Sequence, residues 1–204
     1  MRYNKSIFFF IILSFFLLIA TFSCAKKSNS TLNAYISAHN SHDVEKTMSY
    51  FASDARYDMA EGWTKTGLDT IRAVEEFDAA TNSRLSVSDV RVKGDTVFCK
   101  LTESNDFLRL AGVKDALYHT TFFFRDRKIA RIIKAQSMES RTEVKTAFKP
   151  FTKWASEKRF PEWARLTMNG EFKYGYEGAE GWITLLKEWK EATQDSARVT
   201  SIEK

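Results

Sequence analysis

Cys24 and Cys99 are the two cysteines of this 204-residue chain, and a thiol side chain can carry covalent chemistry. Cys24 follows an apolar run from Ile7 to Ile19 and the small residue Ser23. A thiol at the end of such a run suits thioether attachment of diacylglycerol, which supplies the hydrophobic chains that stable membrane anchoring requires. Cys99 lies in an apolar strand pattern and is predicted to be a buried small hydrophobe rather than a nucleophile. With Cys24 lipidated, no internal disulfide is expected.

The residues before Cys24 resemble the signal peptide and lipobox of bacterial lipoproteins, with Arg2 and Lys5 as the positive start. The resemblance implies a signal peptide over 1–23, then a lipidated Cys24 with a polar tether over 24–30. It also implies a lipid-anchored location in the bacterial cell envelope, at the outer membrane or the periplasmic face. An uncleaved anchor is the alternative, but an apolar run of thirteen residues is short of the roughly 20 that a spanning helix needs.

The charge distribution argues against a nucleic-acid partner. The whole chain has a formal net charge of +5, but residues 31–138 contain 15 Lys and Arg and 15 Asp and Glu. A neutral folded region lacks the basic stripe that nucleic-acid binding needs. Three scattered histidines without supporting cysteines predict no metal site, and we expect no cofactor.

The apolar periodicity predicts an α+β fold with helices first and strands afterwards. Helices are expected over 31–40, from Val44 through Phe51 with an end at Asp54-Ala55, and over 67–80. A small hairpin is expected over 56–67. Antiparallel strands are expected over 84–93, 96–107, 116–125 and 128–137. In the first of these strands the apolar face changes midway, which indicates a bulge or a strong bend.

Beyond Met138 the pattern predicts a C-terminal helical extension over 139–204. A helix is expected over 143–158, where Pro150 should kink or break it. The extension holds four of the five tryptophans, which need a surface to bury against: Trp154, Trp163, Trp182 and Trp189. We predict that these helices cap the open side of the preceding domain; a partner protein is the alternative.

Several stretches resemble the opening of the nuclear transport factor 2 superfamily, which includes SnoaL-like cyclases and ketosteroid isomerase. They are Tyr35-Ile36, the stretch from Asn40 to Glu45, and Phe51-Ala52-Ser53-Asp54-Ala55. The resemblance covers residues 31–138. It implies a cone-shaped, curved antiparallel sheet wrapped on N-terminal helices, with an apolar pocket at the open end.

The resemblance also implies where catalytic groups would lie. The tyrosine of ketosteroid isomerase falls on Tyr35, its base on Met59, and its protonated second acid near Thr120. Methionine cannot accept a proton, so Asp58 or Glu61 would have to act as the base in an enzyme of this type. Adjacent strand residues point to opposite faces, which disfavours Asp58.

The expected pocket combines the implied positions with inward-facing strand positions: Tyr35, Met59, Trp63, Tyr118, Thr120, Phe122, Lys134 and Gln136. Further aromatic lining or core is expected from Tyr57, Phe77 and Phe124. Lys134 could pair with a ligand carboxylate or extend to solvent. His119 alternates with its neighbours and should face outward.

Three functions follow, and the sequence favours the first. The first is a non-catalytic, lipid-anchored module that binds a small apolar ligand or a partner protein. The second is an enzyme that uses Tyr35 with Asp58 or Glu61. The third is a homodimer formed through the exposed sheet face.

Overall fold

The computed structural model describes residues 27–60, 62–167 and 170–202. The helices of these ranges are α1 (27–40), α2 (Val44–Met48), α3 (Leu68–Ala80), α4 (Asp106–Leu110), α5 (Met138–Lys158), α6 (Phe160–Leu166) and α7 (Gly175–Ile202). The strands are β1 (Phe51–Met59), β2 (Thr64–Thr66), β3 (Arg84–Lys93), β4 (Thr96–Ser104), β5 (Ala116–Arg125) and β6 (Lys128–Gln136). Cys24 and Glu61 lie outside these ranges. Within them, no helix is long and apolar enough to cross a membrane.

The six strands form one curved sheet in the order β2-β1-β6-β5-β4-β3, so the predicted α+β class is confirmed. Neighbouring strands are antiparallel except β1 and β6, which run parallel. The predicted curved antiparallel sheet therefore contains one parallel pair, where β6, the last strand of the meander from β3 to β6, lies beside β1. In β3 the register shifts between Ser88 and Arg91, where Asp89 has φ +53°, which confirms the predicted bulge.

The N-terminal helices have different limits from those predicted. α2 is capped by Asp43 and ends at Met48. Phe51 begins β1 and pairs with Ile129 of β6, so the predicted helix through Phe51 is wrong. Strand pairing overrides the helical spacing there. Residues 27–30, predicted as tether, belong to α1, and Ser28 is buried.

The helices α1 to α3 cover the concave face of the sheet and form one core with it. Inward and outward residues alternate along β5 as predicted. Tyr118, Thr120, Phe122 and Phe124 are buried, whereas His119 is exposed. Cys99 is also buried, and this burial raises the pKa of its thiol to about 11.

The C-terminal helices α5 to α7 form a second core against α3 and α4, which confirms helices in this region. α5 continues through Pro150, so the proline does not end the helix. Gly181 of α7 lies against Leu166 of α6, and a Cβ at this glycine would be 2.7 Å from Leu166 Cδ2. The glycine therefore allows α6 and α7 to approach closely.

Candidate ligand cavity

A cavity of about 190 Å³ lies between the concave face of the sheet and the helices. Its walls come from β1, α3, β4, β5 and β6, and from the segment 172–174 that precedes α7. The domain and its C-terminal extension therefore build the cavity together.

Aromatic rings form much of the wall and the cover of the cavity. Tyr57 and Trp63 lie with ring centroids 5.3 Å apart, and Trp63 meets Tyr174 edge-on at 5.4 Å. Phe77 of α3 makes a similar edge contact with Phe172 at 5.2 Å. Such edge-to-face contacts contribute beyond the area that they bury. They hold segment 172–174 over the cavity.

A buried ion pair lies at the sheet side of the cavity. Lys134 Nζ of β6 is 2.5 Å from Glu103 Oε2 of β4, and Asn105 Nδ2 donates to Glu103 Oε1 at 2.8 Å. Burial alone would raise the pKa of Glu103, but the charge and hydrogen bond of Lys134 lower it. Burial likewise would lower the pKa of Lys134, and Glu103 instead raises it well above its usual value. Both side chains are therefore charged at neutral pH.

Asp78 of α3 also lines the cavity. Burial, followed by the negative charge of Glu103, raises the pKa of its carboxyl to about 8. No described residue forms a hydrogen bond with this carboxyl. Nearby, burial raises the pKa of the Tyr57 hydroxyl, which therefore stays protonated. At neutral pH the cavity thus holds an acid and a phenol that can both donate hydrogen bonds.

Behind Asp78 lies a buried polar network between α1 and α3. Tyr35 Oη donates to Glu75 Oε1 at 3.0 Å, and His39 Nδ1 is 2.9 Å from Glu75 Oε2. His39 Nε2 lies 3.2 Å from Ser83 Oγ. Burial would lower the pKa of His39, but the hydrogen bond and charge of Glu75 raise it. When His39 is protonated it forms an ion pair with Glu75, and each of the two residues has a further partner, Ser83 for His39 and Tyr35 for Glu75.

The sequence between residues 32 and 132 matches the family model described as a SnoaL-like domain. The match and the fold together support a SnoaL-like domain of the nuclear transport factor 2-like type over this segment. A search of curated proteins found no match.

Solved structures were compared with the whole chain. An LEH-like epoxide hydrolase from M. tuberculosis matches with a TM-score of 0.51 and 10% identity, over 59% of this chain and 90% of the hydrolase. A candidate ketosteroid isomerase from Kribbella flavida matches with a TM-score of 0.48 and 13% identity, over 55% of this chain and 79% of the isomerase. A candidate polyketide cyclase from Sinorhizobium meliloti matches with a TM-score of 0.45 and 22% identity, over 52% of this chain and 93% of the cyclase. At 10% identity, the likeness to the hydrolase shows the fold alone.

The structure brings together five of the eight predicted pocket residues. The cavity is lined by Met59, Trp63, Tyr118, Lys134 and Gln136. Lys134 is 4% exposed and its Nζ lies 4.1 Å from the Tyr118 ring centroid, so it does not extend to solvent.

The other three predicted pocket residues do not line this cavity. Tyr35 is bound to Glu75 and packs edge-on against Phe122, so both are core residues. Thr120 faces inward from β5, but it is buried, and its hydroxyl has no hydrogen-bond partner among the described residues. Tyr35, Thr120 and Phe122 therefore lie outside this cavity, and Thr120 lines instead a separate groove beside Phe98 and His119.

Asp58, one of the two bases considered, is engaged elsewhere. Its carboxylate accepts hydrogen bonds from Arg56 at 2.6 Å, Thr64 at 2.7 Å and Arg131 at 2.7 Å. Burial would raise the pKa of Asp58, but these donors lower it. Its neighbours Tyr57 and Met59 line the cavity, so strand alternation directs Asp58 away from it. The Asp58 carboxylate is therefore occupied by these three donors and lies outside the cavity.

Sequence reasoning missed the polar groups on α3. Glu75 and Asp78 follow Ile71 at spacings of four and seven residues, which puts all three on one helix face. Ile71 is fully buried, so two acids on its face were a signal of a buried polar site. Phe172 and Tyr174 had no such signal, since they lie in an irregular segment of the extension.

Proposed function

We propose that this protein is lipid-anchored in the bacterial cell envelope and that its SnoaL-like domain binds a small, uncharged, mostly apolar molecule without converting it. The observation that carries the proposal is the aromatic-lined cavity of about 190 Å³. For comparison, an apolar cavity of about 150 Å³ can hold benzene. A molecule of one ring, or an aliphatic chain of similar volume, therefore fits.

The charges of the site support an uncharged ligand. Lys134 is already paired with Glu103, and Glu75 is within hydrogen-bond distance of His39. A charged ligand group would have to compete with these partners while losing its own hydration. Asp78 and Tyr57 offer hydrogen bonds to a carbonyl, ether or hydroxyl oxygen. The ligand class is thus an apolar molecule with one oxygen acceptor.

The non-catalytic part of the proposal is supported by the residues that an isomerase-type enzyme would need. The position implied for its base holds Met59, Asp58 is bound by two arginines, and Tyr35 is bound by Glu75. Proton abstraction needs a base within hydrogen-bond reach of the substrate. Neither Tyr35 nor Asp58 reaches the cavity, which weakens the enzyme alternative that uses them.

Native mass spectrometry tests the proposal on the mature protein purified from its host in mild detergent. We expect one retained small molecule, which tandem mass spectrometry would identify as uncharged. Tyr57→Phe should weaken retention because it removes a hydrogen-bond donor. Tyr50→Phe is the matched control, since Tyr50 is partly buried outside the cavity. Complete retention by Tyr57→Phe, or chemical turnover of the isolated molecule by the protein, would contradict the proposal.

A further inference from the structure

A second site lies beside the cavity, where α1 and α3 bring three metal-ligating side chains together. The donor atoms of His39, Glu75 and Asp78 all lie within 4.8 Å of one another. His39 is near the end of α1, and Glu75 and Asp78 are three residues apart on α3, so their side chains share a helix face. We propose that these three residues bind one divalent first-row transition metal ion.

The spacing of the donors suits such an ion after small side-chain rotations. Tetrahedral ligands at 2.0–2.1 Å from a zinc ion are about 3.3 Å apart. His39 Nδ1 and Glu75 Oε2 are 2.9 Å apart, so small rotations that separate them would let both reach one ion. Asp78 supplies the third ligand, and no described residue competes for its carboxylate through a hydrogen bond. One coordination position stays open on a three-ligand site.

The groups around the first ligands have the arrangement typical of a metal centre. Metal-bound histidines usually donate their second N–H to a neighbouring group, which fixes ring orientation and tautomer. Here His39 Nε2 faces Ser83 Oγ at 3.2 Å, which leaves Nδ1 as the ligand atom. The second oxygen of Glu75 accepts a hydrogen bond from Tyr35 at 3.0 Å. Both partners lie outside the proposed ligand set.

Charge and access also favour a cation. The two carboxylates together offset the two positive charges of a divalent ion, and Lys134 is already occupied by Glu103. His39 and Glu75 are 4% and 3% exposed, so bulk solvent does not reach them, but Asp78 opens onto the cavity. The cavity is therefore the entry path, and the open coordination position would face it.

The donor set selects the class of ion. One imidazole with two carboxylates suits zinc and its first-row neighbours, whereas Mg²⁺ prefers oxygen ligands and several retained waters. Asp78 takes part in both proposals, since it donates a hydrogen bond in its protonated form and would bind the ion as a carboxylate. The metal and the organic ligand are detected by separate measurements, so the failure of one proposal is distinguishable from the failure of the other.

Isothermal titration calorimetry tests the site on the full chain, purified in detergent and stripped with EDTA. We expect one equivalent of Zn²⁺ to bind and Mg²⁺ not to bind. Asp78→Asn and His39→Asn should abolish Zn²⁺ binding. Tyr35→Phe keeps all three ligands and should weaken binding about 10–100-fold, because it removes a partner that orients Glu75. Visible absorption of bound Co²⁺ gives a second readout of the same site.

Two control variants match the ligands in chemistry but not in position. Asp69→Asn changes an exposed acid on α3, and His42→Asn changes a histidine outside the trio. Both should bind Zn²⁺ as the wild type does. Absence of Zn²⁺ binding to the wild type overturns the site, as does an unchanged affinity in Asp78→Asn or equal binding of Mg²⁺. If His39→Asn fails to fold, Asp78→Asn and Tyr35→Phe still decide the question.

Discussion

Lys134 of β6 reaches across β5 to Glu103 of β4, with Nζ 2.5 Å from Oε2 and 4.1 Å from the Tyr118 ring centroid between them. Both charged side chains are more than nine-tenths buried. An ion pair in this position ties three strands of the curved sheet together and forms one side of the cavity.

Removing one partner of this pair should destabilise the fold. Lys134→Met leaves the Glu103 charge buried without its partner, and loss of about 3–5 kcal/mol in the free energy of unfolding is expected. The double variant Lys134→Met with Glu103→Gln should recover much of that loss, because no uncompensated charge remains. Urea unfolding measures the free energy of unfolding of the single and the double variant. Asp54→Asn, which removes an exposed partner of Arg125, serves as the control and should change little.

The raised pKa of Asp78 predicts a pH dependence of stability in EDTA-treated protein. Burial, with the charge of Glu103 second, raises this pKa to about 8 from 3.8, against the opposing charges of His39 and Lys134. Between these values the folded state holds a proton that the unfolded state releases. The contribution to stability is therefore present below pH 4 and is lost as pH rises toward 8.

Asp78→Asn should remove this slope in urea unfolding measured from pH 5 to pH 8. Glu75 also raises the pKa of Asp78. The control is Asp69→Asn, which changes an exposed acid of α3, and its stability should be measured over the same pH range. The control should keep the slope of the wild type. An equal slope in Asp78→Asn and the wild type would show that another group causes the dependence.

The close approach of α6 and α7 predicts an unusual effect of alanine at Gly181. Glycine to alanine within a helix normally stabilises by roughly 0.5–1 kcal/mol. Here the new Cβ would be 2.7 Å from Leu166 Cδ2, so overpacking of about 1–3 kcal/mol should dominate. Thermal unfolding should show a lower Tm. Combining Gly181→Ala with Leu166→Ala should cost less than the sum of the two changes; strict additivity would speak against this contact.

A homodimer through the sheet face stays a prediction, now with a defined surface. The outer face of β3 to β6 forms a groove of about 790 Å³ whose lining includes Val90 and Phe98, 39% and 38% exposed. Burial of such exposed apolar side chains favours association. Light scattering should report a dimer for the wild type and a monomer for Phe98→Lys. Phe160→Lys is the control, since Phe160 is exposed on α6; a monomeric wild type would refute the prediction.

The lipid anchor at Cys24 predicts a mass change and a change in membrane association. Expressed in a bacterial host, the protein should lose residues 1–23 and gain diacylglycerol and an acyl chain, which intact mass spectrometry detects. Cys24→Ser should lack the lipid and leave the membrane fraction, because the anchoring chains are absent. Cys99→Ala is the control, since Cys99 is buried in the core. An unlipidated wild type that stays in the membrane would support the uncleaved anchor instead.

The sequence pattern predicted the structure correctly where buried and exposed residues alternate with the period of a single strand or helix. The alternation along β5 correctly predicted the inward Tyr118 and the outward His119, and the broken alternation in β3 predicted its bulge. Helical spacing failed at Phe51, because pairing with Ile129, distant in sequence, outweighs local preference.

The sequence by itself determined the α+β class, the SnoaL-like segment and five of the cavity residues, since these depend on periodicity and on short stretches of residue types. Only the tertiary structure decided the parallel pairing of β1 with β6, the ion pair between Lys134 and Glu103, and the meeting of His39 with Glu75 and Asp78. Each of these joins residues far apart in the chain. Their chemistry depends on burial and distance, which no local pattern specifies.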